Sequence, residues 1–223
     1  MSTKRAWDVL TFDCYGTLID WEGGIGGAFE AAAALAGTLL NREQAAIEYA
    51  RLEPGVEAAP FQSYRSVLTT SATLTARSLG WDLDERSAKF LPRSLPQWPP
   101  FPDTNPALVR LKASGMKLGI LSNVDDDLLR ETLKHFPVEF DFTITAEQVG
   151  SYKPGQGHFE AARQKIGQAR WLHCAQSYYH DVEPAVALGI PVAWINRKHE
   201  SPSGTARPDL EFENLSQLAS HLA

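Results

Sequence analysis

The chain has 223 residues, 43% of them hydrophobic, which is enough to bury a sizeable core and argues against disorder. With 21 basic against 27 acidic residues, the net charge of −6 excludes the clustered Lys and Arg that nucleic-acid phosphates require. No stretch approaches the roughly 20 apolar residues of a membrane span.

Two cysteines, Cys14 and Cys174, cannot form a disulfide framework, and the opening MSTKRAWDVL lacks the apolar run of a signal peptide. A soluble, reducing, cytoplasmic setting and a small-molecule substrate are therefore expected.

In chain order, Val9 to Phe12 is a short β-prone run that stops at Asp13, and DCYGT supplies the turn chemistry that ends a strand. The first strand thus presents Asp13 at its tip. After Trp21 three stretches have helical spacing: GGIGGAFEAAAALAGTLL, NREQAAIEYARLE and SYRSVLTTSATLTARSLG. Their aromatic residues Phe29, Tyr49, Phe61, Tyr64 and Trp81 either line a pocket or form the helical block's own core. The glycines of GGIGG serve a hinge or close helix packing. The proline-dense PRSLPQWPPFPDTNP then reads as a connector, because residues before proline avoid the helical region.

Beyond it, helices (ALVRLKASG, DDDLLRETLKHF, GHFEAARQKIG) alternate with strands (MKLGILSN, FDFTITAEQ, WLHCAQ, PVAWINR). Such alternation predicts βαβ units and a Rossmann-like, doubly wound parallel sheet. The predicted α/β core spans residues 1–20 and 99–223, with an inserted helical cap over 21–98. Ligands of such sheets bind beyond the carboxyl ends of the strands. That singles out Asp13, Ser122, Asn123, Lys153 and the segment from Gln176 to Asp181.

An aspartate after a strand is by itself ordinary turn chemistry. The phrase VLTFDCYGTLID, followed by the Asn-terminated ILSN and then by SYKPG, is far more specific. In this set and order the chain resembles the haloacid dehalogenase superfamily, most closely its (S)-2-haloacid dehalogenase branch. The resemblance implies that Asp13 is a covalent nucleophile, that Thr17 orients its carboxylate, and that Lys153 neutralises charge beside it. It implies that Ser122 and Asn123 hold an anionic group of the substrate. Asp181 would orient or deprotonate the hydrolytic water, with N-capping of VEPAVALG as its structural alternative.

Two departures choose between chemistries. The superfamily's phosphatases carry an acid two residues after the nucleophile, where this chain has Tyr15, a poor proton shuttle at neutral pH. A halide leaving group needs no proton. Those phosphatases also present an acid where this chain has Gln176, and magnesium prefers carboxylates. No metal or other cofactor is therefore expected, with a magnesium-dependent phosphatase as the alternative and a non-enzymatic scaffold as a third class.

Further positions follow less directly. An early-cap arginine holds the halide in the dehalogenases, but here Glu43 falls at the matching place, leaving Arg42, Arg51 and Arg65 as candidates. Tyr178 and His180 stand where Asn and Trp are usual, so both are candidate pocket residues, and His180 is a candidate proton relay. The resemblance also implies a homodimer.

Overall fold

The computed structural model describes residues 6–223; the first five residues of the expected core segment lie outside the described ones. In chain order the elements open with β1 (Val9–Phe12), α1 (Trp21–Leu35), α2 (Arg42–Glu57), α3 (Tyr64–Ser78), α4 (Glu85–Ala88) and α5 (Phe90–Ser94). They continue with α6 (Thr104–Ala113), β2 (Lys117–Ser122), α7 (Asp126–Thr132), β3 (Phe142–Thr145), α8 (Ala146–Val149) and α9 (Gly157–Ile166). The chain closes with β4 (Trp171–Ala175), α10 (Glu183–Ala187), β5 (Val192–Ile195), β6 (Leu210–Phe212) and α11 (Leu215–Leu222).

The six strands form one sheet in the order β3-β2-β1-β4-β5-β6, and every pairing is parallel. This is the doubly wound order, with its reversal beside β1. β1 and β4 are buried along their whole length, as expected of strands covered on both faces. Leu10, Phe12, Leu118, Ile120, Leu172 and Val192 are all fully buried. Beyond the predicted strands, a sixth runs over Leu210–Phe212 and pairs with β5.

The chain separates into two compact units. The sheet unit comprises 1–19, 100–123 and 134–223, and the helical unit comprises 20–99 and 124–133. The proline-dense segment is not a plain connector. It contributes the end of α5, a 3-10 turn over Leu95–Gln97 and the start of α6, because proline is tolerated in first turns.

Segment 124–133, expected within the core, clusters with the helical unit. Asp125 stands at the N-cap of α7, yet its carboxylate accepts from the backbone N–H groups of Tyr64 (2.7 Å) and Arg65 (2.9 Å), at the start of α3. An acid from one segment thus satisfies the open N-terminus of another's helix.

Within the helical unit, Phe29 and Tyr49 are fully buried, and Phe29 meets Phe90 edge-on at 5.1 Å. Most of the aromatic set is therefore that unit's core, although Phe61 remains 44% exposed. The glycines of α1 permit close packing: a Cβ on Gly26 would stand 2.6 Å from Arg42 O. Among the described residues, no helix is long and apolar enough to cross a membrane.

Candidate active site

Asp13 begins where β1 ends, its backbone N–H donating to Cys174 O at 3.1 Å on β4. The chain then turns tightly. Cys14 O accepts from the N–H groups of Leu18 and Ile19, and Gly16 takes φ 98°, a conformation open to glycine. The turn returns Thr17 to Asp13, and Thr17 Oγ1 donates to Asp13 Oδ2 at 2.9 Å. The same hydroxyl accepts from Gln176 N at 2.9 Å, so the end of β4 steadies the side chain that steadies Asp13.

Lys153, in the loop after α8, is only 1% exposed. Its Nζ donates to Asp13 Oδ1 at 2.8 Å, Asp181 Oδ1 at 2.6 Å and Leu121 O at 3.0 Å. Three acceptors match the three protons of an ammonium group. An ammonium this buried is stable only when paired, and here it has two carboxylates.

Burial raises the Asp13 carboxyl, Lys153 lowers it, and the charge of Asp181 raises it again, leaving it above its ordinary value. Burial would also raise Asp181, but Lys153 and His173 outweigh that and hold it well below the usual carboxylate range. Burial alone would lower Lys153; the two carboxylates reverse the effect and raise it. Asp181 is therefore ionised throughout the neutral range and the ammonium is permanent.

The remaining expected residues divide. Ser122 is fully buried at the tip of β2, and its hydroxyl has no hydrogen-bond partner among the described residues. Asn123 departs from expectation. Its Oδ1 accepts from Lys153 N at 2.7 Å and its Nδ2 donates to Lys153 O at 3.1 Å. The carboxamide expected to hold a substrate anion clamps the lysine backbone instead.

Asp181 is not an N-cap. Val182 stands at the N-cap of α10, and Asp181 lies inside the preceding π-helical turn, Tyr178–Val182, which Ser177 caps by accepting from His180 N at 3.1 Å. Tyr178 is corrected as well: it packs edge-on against Trp194 in the apolar core and donates its hydroxyl to Ala206 O. His180 Nδ1 lies 3.0 Å from Ser177 Oγ, and its imidazole is pushed down by burial.

Tyr15 is half-buried in the turn. Gln176 Nε2 lies 3.5 Å from Glu200 Oε2. In the helical unit, Arg51 pairs with Glu48 and Arg65 with Asp127, and Arg42 donates to Gly23 O at 3.3 Å. Glu43 is exposed.

Two residues of this site were not anticipated. His173, on β4, places Nε2 3.0 Å from Asp181 Oδ1 and is fully buried. His158, on α9, lies 3.1 Å from Ser122 O. A histidine inside an otherwise apolar run, WLHCA, was the available signal, since buried parallel strands are normally apolar throughout.

Two carboxylates, Asp13 and Asp181, remain beside the nucleophile for a magnesium ion, but Lys153 Nζ bonds to both, which weakens such a site.

The family model for a haloacid dehalogenase-like hydrolase matches residues 7–176, from before the first strand through Gln176. The chain belongs to this family. Within this hydrolase family it is 30% identical to an (S)-2-haloacid dehalogenase of Pseudomonas putida, over 85% of each chain. It is 28% identical to a haloacetate dehalogenase of Moraxella sp. (strain B), over 85% of this chain and 86% of the relative. Among solved structures, a defluorinating L-2-haloacid dehalogenase superposes with a TM-score of 0.82 at 25% identity, covering 97% of this chain and 95% of that one.

Proposed function

We propose that the protein hydrolyses the carbon–halogen bond of small 2-haloacids, giving 2-hydroxy acids. One observation carries the reading: a buried carboxylate at a strand tip, gripped by Lys153 and Thr17, with Tyr15 where a phosphatase needs a proton donor. The names of the relatives point the same way.

In the first step an Asp13 oxygen attacks C2, a C–O bond forms, and halide departs with the bonding pair. In the second, water attacks the Asp13 ester carbonyl as Asp181 accepts its proton, the acyl C–O bond breaks, that proton passes to the departing alkoxide oxygen, and the regenerated Asp13 carboxyl loses the net proton. The net change is haloacid plus water to hydroxy acid, halide and a proton.

The partnerless Ser122 hydroxyl suits the substrate carboxylate, and Asn123 acts by holding Lys153. The two steps as written need no metal. Two buried free thiols, Cys14 and Cys174, accord with a reducing, cytoplasmic setting.

Single turnover in oxygen-18 water tests the route. The label should enter the Asp13 carboxylate, and Asp13→Asn should stop halide release. Phosphate release from esters that chelator abolishes, without halide release from chloroacetate, would overturn the reading in favour of a phosphatase.

A further inference from the structure

Behind the site runs a chain of four buried side chains, three on two neighbouring strands and the fourth, Asp181, in the turn that follows β4. Thr11 of β1 is the register partner of His173 of β4, so their side chains share one face of the sheet. Trp171, two residues before His173, shares that face as well. Trp171 Nε1 donates to Thr11 Oγ1 at 2.7 Å, Thr11 Oγ1 lies 2.9 Å from His173 Nδ1, and His173 Nε2 lies 3.0 Å from Asp181 Oδ1.

The direction of every bond follows from its ends. The indole nitrogen is only a donor, so the Thr11 oxygen accepts from it; in the neutral Nε2–H tautomer that faces the Asp181 carboxylate with a donor, the Thr11 proton turns toward His173 Nδ1. Nδ1 is then the acceptor of a neutral imidazole, and Nε2 carries the hydrogen. That hydrogen meets an ionised carboxylate. The chain therefore runs in one sense, from Trp171 to Asp181, with every donor matched to an acceptor.

Its end point is the informative part. Asp181 Oδ1 receives both Lys153 and His173, whereas Asp181 Oδ2 is fully buried and has no hydrogen-bond partner among the described residues. An ammonium alone would let the carboxylate swing about its own bond, because a point charge sets little orientation. A directional N–H held rigidly by the sheet removes that freedom.

We propose that His173 is a positioning residue: it pins Asp181 Oδ1 so that Oδ2 is presented, lone pairs free, to the water that hydrolyses the Asp13 ester. This rests on the dehalogenase reading and adds to it a separation of the two steps. Halide release needs Asp13 and Lys153; ester hydrolysis needs the Thr11–His173–Asp181 chain as well.

The test is pre-steady-state halide release from chloroacetate, with mass spectrometry of the quenched enzyme. Wild type establishes the reference rates. In His173→Leu a burst of one halide per enzyme should persist, kcat and KM should fall together by on the order of 100-fold, and the Asp13 adduct should accumulate. The ratio kcat/KM, which reports the halide-releasing step, should change by less than about 3-fold. His173→Gln, which keeps an N–H donor of similar reach, should recover much of kcat.

A folded His173→Leu with wild-type kcat, or one losing burst and turnover in equal measure, overturns the proposal. Should His173→Leu not fold, Thr11→Val decides, because it removes the proton that fixes the imidazole tautomer. Wild-type kcat without adduct in that variant overturns the role of the chain. Absence of halide release from wild type, across a panel of 2-haloacids, would instead overturn the dehalogenase reading itself, and this role with it.

Discussion

Lys153 Nζ stands 2.8 Å from Asp13 Oδ1 in a pocket where the lysine side chain is 1% exposed. The ammonium is the principal influence lowering the carboxyl that burial raises, so it helps keep the nucleophile ionised. Lys153→Met should reduce kcat by about 100-fold or more, in the range expected for loss of a preorganised charge. The acid limb of any residual halide burst should also move to higher pH, because a lowering influence has been removed. A variant whose limb stays in place would show that Lys153 does not govern Asp13 ionisation.

Thr17 connects Asp13 to the backbone of Gln176 through one hydroxyl. Thr17→Val keeps the shape but loses both bonds. We expect kcat for chloroacetate to fall roughly 10- to 100-fold, as for a slightly misplaced reacting group. Thr17→Ser should retain most of the rate; equal losses in the two variants would indicate that the methyl packing, rather than the hydroxyl, is what counts.

His158 sets a pH dependence of stability. Burial first, and the Lys153 charge second, lower its imidazole to about 4. An unfolded chain takes up this proton near pH 6.5, and the folded one resists until about 4. Stability contributed by the neutral imidazole is thus fully present above the unfolded value and lost as pH falls across that window, by on the order of 3 kcal/mol. Denaturant titrations of His158→Gln between those pH values should show a shallower decline than wild type. Parallel curves would disprove the assignment.

Asp125 caps α3 from a distant segment through two backbone bonds. Asp125→Ala should lower unfolding free energy by about 1 to 3 kcal/mol, the usual scale for losing a cap that leaves N–H groups unsatisfied. Chemical denaturation followed by circular dichroism would measure it, and an unchanged midpoint would refute it.

The parallel sheet and the places of Asp13, Ser122 and Lys153 were legible because apolar runs stop abruptly at polar residues. β6 was not, since its three residues are never fully buried and carry little pattern. Tyr178 was misread because a π-helical turn, with Val182 N bonding to Ser177 O, fits an extra residue into one turn and rotates the side chains. Asn123 was misread because its partner lies 30 residues away, a pairing that local pattern does not encode. His173 escaped because attention fell on residues after the strands, while its role arises inside one, from the register with Thr11.

The helical unit is written in two stretches of polypeptide, 20–99 and 124–133, and the second follows Asn123 directly. Transplanting the helical unit between relatives as one contiguous cassette would therefore leave α3 with a foreign acid, or none, at its first turn. A faithful graft must carry both stretches, and its second splice would fall one residue after the amide that clamps Lys153. Modular redesign and catalytic integrity meet at that junction.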